Sequence, residues 1–174
     1  PSKVYIFDTM LAAYGTEMIT EQVIKMVDDN KTEEEIIERI NKIISTSGLM
    51  FTVENLFSLV KGGRISNTSA AIGTVLRIKP IVKMINGKLA VVNKQRTYKR
   101  VHKYMVDNVL EDSKGYKNIT FRITSHNSTD SAKELEHVIT DMFPNSNITF
   151  TDYLGPVFSI HIGKKGYGIS WFAE

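Results

Sequence analysis

The chain has no cysteine. That excludes disulfide staples, thiolate zinc sites and cysteine nucleophiles together, and it fits a reducing cytoplasm. Also missing is any apolar run near the roughly 18 residues needed to span a bilayer, and the opening residues do not read as a secretory leader. The chain is expected to be soluble, without stable membrane insertion. Excess charge of one sign is small, at +3 overall. No cluster of five basic residues occurs, so the charge gives no support to a nucleic-acid role. The densest basic stretch, Lys94 to Lys103, mixes Lys94, Arg96, Lys99, Arg100 and Lys103 with apolar positions and reads as a solvated helix face. No Gly-x-Gly-x-x-Gly follows a strand, and no phosphate loop or Gly-x-Ser-x-Gly elbow appears. No histidine pair has a carboxylate at metal-ligand spacing. Without a recognisable catalytic set, the balance tips toward binding, with no metal and no cofactor.

What is present is enough to fold. With 174 residues, 42% of them hydrophobic, the chain can bury a core for one domain or one and a fraction. Val4 to Phe7 reads as a buried strand closed by Asp8-Thr9. The segment Thr16 to Asp28 places Ile19, Val23, Met26 and Val27 on one helical face. Thr32 and Glu35 form a capping box ahead of Ile36, Ile37, Ile40, Ile43 and Ile44. After Gly48 the pattern changes, so a boundary is placed there, between residues 1–48 and 49–174. Leu49, Phe51 and Val53 predict a short strand, Leu56 to Val60 a helix, and small-residue-rich Asn67 to Leu76 another. Lys79 to Ile85, Asn86-Gly87, then Lys88 to Val92 is a hairpin signature. A helix from about Tyr98 to Leu110 carries Val101, Met105 and Val109, with His102 expected at the surface or its boundary. The last third alternates: a strand at Asn118–Ser125, a helix at Ser131–Phe143 and a strand at Asn147–Tyr153. A short helix at Gly155–His161 and a strand at Gly168–Phe172 complete it. This predicts an α/β fold, a mixed sheet flanked by helices with one antiparallel hairpin.

Ligands of open α/β sheets collect beyond the carboxyl ends of strands. Asp8-Thr9 stands at one such place, as a cap or a polar site. His126 stands at another, followed by good N-cap residues. In the third, Gly155-Pro156 opens a helix whose free N–H groups favour an anion, with His161 about one and a half turns later. His161 is flanked by isoleucines and reads either as a core residue or as a group facing that anion. The most informative run is Leu56-Phe-Ser-Leu-Val-Lys-Gly-Gly-Arg-Ile-Ser66. It is compatible with a helix stop and a solvated charge. That is the commoner meaning of Gly-Gly beside Arg; the alternative is a bendable positive corner, where Arg64 offers a planar fork of donors to carboxylate or phosphate.

Taken together, Lys61-Gly62-Gly63-Arg64-Ile65-Ser66, Ile72-Gly73, Ile78-Lys79-Pro80, the Asn86-Gly87 hairpin, Arg96, and Gly155-Pro156-Val157 with His161 and Gly163 resemble the DegV family over nearly the whole chain. The resemblance implies a protein that holds a long-chain fatty acid in an apolar tunnel. It would present the carboxylate to a separate kinase that makes an acyl phosphate, so the chain itself would be the lipid-binding subunit and not the enzyme. By resemblance His161, Arg64, Ser66 and Gly155 belong to the ligand site, while Lys61, Gly62, Gly63 and Arg96 face the kinase or the transferred phosphoryl group. Residues 1–48 would then be the remainder of an N-terminal α/β domain and 49–174 the C-terminal one. The family's upstream Thr-Ser-Gly-Leu-Ser motif has no counterpart ahead of Val4, and Thr46-Ser-Gly-Leu49 comes too late in the order. Gly163-Lys164-Lys165-Gly166, expected as a turn, replaces the family's Gly-Pro-Gly after the histidine. Two rival readings stand beside this one: phosphotransfer through His161 or His126, and a ligand-free interaction module.

Overall fold

The hydrophobic spacing after Ala13 resolves into two helices, α1 (Tyr14–Asp28) and α2 (Glu33–Thr46). The structure, a computed structural model, describes residues 3–66 and 78–174. The capping box closes at the start of α2: Glu35 N–H donates to Thr32 Oγ1 at 3.3 Å, and Thr32 N–H donates to the Glu35 carboxylate at 2.9 Å. That satisfies two otherwise orphaned donors. Met18, Ile19, Ile40 and Ile43 are buried between these helices and Phe172, whereas Val27, expected on the inner face of α1, is exposed.

Strand β1 (Gly48–Val53) leads into α3 (Phe57–Lys61). The expected helix at Asn67–Leu76 lies outside the described residues. The hairpin forms as its turn residues demand, from β2 (Lys79–Ile85) and β3 (Lys88–Gln95), with Asn86 at φ 49 and Gly87 at φ 71. Both positive angles belong to the primed turn whose twist matches the strands it joins. Then follow α4 (Tyr98–Asp112), β4 (Ile119–His126), α5 (Thr129–Met142), β5 (Asn147–Thr151), α6 (Pro156–Ile162) and β6 (Gly166–Ala173). Gly166 and Gly168 therefore lie inside a strand, and only Gly163 to Lys165 make the turn.

The six strands form one mixed sheet in the order β3-β2-β1-β6-β4-β5. Only β4 and β5 pair in parallel; the other described neighbours are antiparallel. Successive residues of a strand face opposite sides. Accordingly Tyr167, Ile169 and Trp171 of β6 pack with α4 and α5 through Val101, Met105, Leu135 and Ile139, while Phe172 packs with α1 and α2 on the other side. On that second side Phe51, Val53 and Val82 also meet Leu56 and Leu59 at α3. A space is left between the α1–α2 pair and the α3–α6 pair.

Three further readings of the sequence need correction. Val4 to Phe7 pairs with no strand among the described residues, and Val4 and Ile6 are exposed. The segment is tied to the start of α2 instead, through Lys3 and Tyr5 to Glu33, with Phe7 alone reaching the core. His102 is 3% exposed, because it shares the inner face of α4 with Met105, Val106 and Val109. Met142 is exposed at the last position of α5, beyond the buried Ala132, Leu135 and Ile139.

Candidate functional site

The space between the two helix pairs is a cavity of ≈ 710 Å³ with a mostly apolar surface. Its floor is made by the central strands. β6 contributes Gly166, Gly168 and Ser170, and their small size leaves room that larger side chains would fill. β1 adds Leu49 and Phe51, and the carboxyl end of β4 adds Thr124, Ser125 and His126. One wall holds Tyr14 at the start of α1. The other is built from Leu59, Val157, Phe158 and Ile162 of α3 and α6.

Into this apolar chamber come the end of the Lys-Gly-Gly-Arg run and the histidine of α6. Gly63, Arg64, Ser66 and His161 all line the cavity. The reason is local. Helix α3 is closed by backbone bonds from Gly62, Gly63 and Arg64 N–H to the carbonyls of Ser58, Val60 and Leu59 at 2.9, 2.9 and 2.8 Å, which turn the chain back across the helix end. Arg64 is exposed, and its guanidinium, which carries five N–H donors, donates to Gly62 O at 2.8 Å. His161 is half-buried. Its Nδ1 is shielded and has no hydrogen-bond partner among the described residues.

The remaining expected residues are placed differently. Gly155 caps the start of α6 and is not part of the lining, although its neighbour Leu154 is. Lys61 is exposed, with its ammonium 6.0 Å from the centre of the Phe57 ring. Gly62 stands behind the His161 ring. Arg96 follows β3 on the surface, outside the lining. Asp8 caps a turn by accepting from Met10 N–H at 2.9 Å.

A polar cluster stands at the carboxyl end of β4, of which Ser125 lines the chamber. Thr129 Oγ1 donates to the Asp152 carboxylate at 2.6 Å, and Ser128 N–H donates to buried Ser125 Oγ at 3.3 Å. The hydrogen bonds of Thr129 and then Ser125 hold the Asp152 carboxyl below its ordinary range, with Lys133 and His126 adding attraction against a small opposing effect of burial. On the far side of the sheet His102 Nε2 and Tyr167 Oη are 2.8 Å apart. Burial lowers the affinity of His102 for a proton and raises that of the Tyr167 phenolate. Among the described residues no group of three histidines, aspartates or glutamates could hold a metal ion, and no helix is long and apolar enough to cross a membrane.

Tyr14, Ser125 and Ser170 were not legible as cavity residues. The signal for the floor was nonetheless in the sequence, as Gly-x-Gly-x-Ser at alternate positions of an apolar strand. It becomes readable only once β6 is known to lie at the centre of the sheet.

A family profile described as "Uncharacterised protein, DegV family" matches residues 1–174. The chain belongs to the DegV family. A DegV domain-containing protein of Staphylococcus aureus (strain COL) is 28% identical over 168 residues, 97% of this chain and 58% of that protein. One from Clostridium acetobutylicum is 35% identical over 146 residues, 84% of this chain and 50% of that protein. The chain thus spans little more than half the length of these relatives. Among solved structures, a fatty-acid-binding DegV family protein of Thermus thermophilus superposes with a TM-score of 0.87 at 22% identity, over 100% of this chain and 62% of that one. A DegV family protein of Eubacterium eligens loaded with heptadecanoic acid gives 0.87 at 23% identity, over 99% and 62%. The Streptococcus pneumoniae fatty acid kinase (Fak) B3 protein loaded with linoleic acid gives 0.87 at 20%, over 99% and 60%. At these identities the likeness establishes the fold: the mixed α/β sheet is that of DegV proteins.

Proposed function

We propose that this chain forms the C-terminal part of a long-chain fatty-acid-binding protein, which presents the carboxylate to a separate kinase for conversion to an acyl phosphate. The observation that carries the reading is the ≈ 710 Å³, mostly apolar cavity with Arg64 and His161 in its lining. Its size lies within the roughly 300–1,000 Å³ usual for small-molecule sites. Each methylene moved from water into such a space contributes about 0.8 kcal/mol. The carboxylate, once out of bulk water, needs donors. His161 Nε2, the Arg64 guanidinium and Ser66 are assigned to that, while Gly155 contributes through the start of α6, outside the lining. Lys61 and Arg96 are assigned to the kinase side, with Gly62 and Gly63 forming the turn that joins Lys61 to the cavity; the kinase performs the phosphoryl transfer, so this subunit is not itself the enzyme. On the same reading residues 1–48 complete an N-terminal domain, residues 49–174 are the C-terminal domain, and the protein works in the cytoplasm. The fatty acids named for the Eubacterium eligens and Streptococcus pneumoniae proteins, and the kinase named for the latter, support the ligand and partner classes.

The test is extraction of the purified protein with organic solvent and mass spectrometry of what is released. A stoichiometric fatty acid is expected. His161→Ala and Arg64→Ala are each expected to lower its retention about tenfold, the scale of a hydrogen bond to a charged group. Wild-type lipid retention and acyl phosphate formation in both variants would refute the head-group assignment. A phosphohistidine at His161 or His126 after incubation with a phosphoryl donor would favour phosphotransfer instead.

A further inference from the structure

Two adjacent glycines close α3, and they answer to different demands. Gly63 sits at φ 70 with nothing within 4 Å of where a Cβ would stand, so its backbone angle alone calls for glycine. Gly62 is the opposite case. Its φ of −76 and ψ of −2 are right-handed angles open to any residue. What fills the space beside it is the imidazole of His161. A Cβ on Gly62 would stand 2.5 Å from Nδ1 and 2.8 Å from Cε1 of that ring, nearer than any other atom; Ser58 O follows at 3.1 Å. The same two helices meet a second time, where a Cβ on Gly163 would come within 3.2 Å of Ser58 Oγ. The end of α3 and the end of α6 are thus fitted to each other on both sides of the histidine.

The ring edge turned toward Gly62 carries the shielded Nδ1, for which the described residues supply no partner. Among the described residues, then, no hydrogen bond orients the imidazole from behind, as one usually does for a working histidine. Shape does it instead. A proton on Nδ1 would be an orphaned buried donor, the kind of group folded proteins rarely tolerate. On Nε2 the same proton can be donated to an anion in the cavity.

We infer that Gly62 is the positioning residue of His161: the bare backbone at the end of α3 receives the Nδ1 edge of the imidazole, directs Nε2 into the cavity and keeps the proton there. The functional consequence rests on the proposed head-group role of His161; the seating of the ring does not. A side chain at position 62 displaces the ring or the end of α6, and the donor with it.

The test uses the full chain labelled with ¹⁵N-histidine, with the four imidazoles observed by long-range ¹H–¹⁵N correlation and His161 assigned from His161→Ala. His161 is expected as the Nε2–H tautomer. Gly62→Ala should move its ring resonances and leave those of His102, on the other side of the sheet, in place. Retention of added palmitate should fall about tenfold in Gly62→Ala. It should fall no further in the double variant than in His161→Ala alone. The double variant, freed of the ring, should also fold like the wild type by circular dichroism even where Gly62→Ala does not. Unmoved His161 resonances in Gly62→Ala, or a double variant as badly folded as the single one, would overturn the inference. Moved resonances together with full palmitate retention in His161→Ala would uphold the seating and refute the head-group reading.

Discussion

At the scale of single residues, the chain's one tryptophan shows how closely the core is fitted. Trp171 lies opposite Gly48 across β6 and β1, and a Cβ on Gly48 would stand 2.1 Å from its indole. The ring is 1% exposed and cannot retreat. Gly48→Ala is therefore expected to destabilise by about 1–3 kcal/mol, the cost of overpacking a filled core. Urea unfolding followed by the fluorescence of this single indole measures it, and a loss under about 0.5 kcal/mol would show that the strands yield. His102 supplies a pH dependence. It is packed among Tyr98, Tyr167 and the face of α4, with Lys79 over the Tyr98 ring at 3.5 Å. Burial depresses its pKa from 6.5 in the folded state, against a smaller opposing pull from Glu134. Its contribution is full above pH 6.5 and is lost as the pH falls from there through the depressed folded value. Each unit of depression corresponds to about 1.4 kcal/mol. His102→Gln should flatten the rise of unfolding free energy between acid and neutral pH; an unchanged slope would rule the residue out as its source. That burial was readable in principle. His102 falls in step with Met105, Val106 and Val109, but a histidine on an apolar face carries no mark of whether a partner such as Tyr167 waits there.

At the scale of elements, local signals located most of the chain. The capping box, the Asn-Gly turn and the apolar spacing each act within a few residues, so α2, the β2–β3 hairpin, α4, β4 and α5 appear where they were expected. Thr32 lies on the surface and its side chain caps its own helix start, so Thr32→Ala should cost about 1 kcal/mol. Glu35→Ala should add little to it, because the two bonds form one reciprocal unit. A double-mutant cycle in urea checks this, and full additivity would contradict the coupling. Val4 to Phe7 failed for the opposite reason. An apolar β-branched run states only that a strand is possible, and a strand exists through its neighbours. Here Tyr5 and Lys3 are drawn to Glu33, and Ile6 is left 93% exposed. The candidate site was legible to the same limited degree. Arg64, Ser66 and His161 meet at one cavity, which no spacing along the chain could reveal, while Arg96 and Gly155 stand apart from it.

At the scale of the whole molecule, the cavity has one wall fastened by charge and one by shape. Arg122, on β4, reaches across to α1: its guanidinium meets Glu17 at 3.0 Å and both oxygens of Glu21 at 2.8 and 2.9 Å. Burial works against this cation, yet pairing with Glu21 and Glu17 outweighs it and raises the Arg122 pKa. The Tyr14 ring stands 5.7 Å from the same guanidinium and lines the cavity, so the pairing sets where the α1 wall stands. The opposite wall is the α3–α6 unit joined at Gly62 and His161. On the proposed function, an apolar ligand between the walls would touch the start of α1 and the α3–α6 unit and stabilise the folded chain by mass action. At a free palmitate concentration about 100 times its dissociation constant the gain is about 2.7 kcal/mol. For a chain of this size that should raise the melting temperature by roughly 5–10 °C. Arg122→Met keeps the buried stem but frees α1. It should lower the melting temperature of the delipidated protein and also shrink the increment palmitate provides, since the wall must be ordered again when the ligand binds. Differential scanning calorimetry of both proteins, with and without palmitate, separates the two effects. An increment unchanged by Arg122→Met would mean that α1 packs on the sheet without the ion pairs and that the ligand is held by the α3–α6 wall alone.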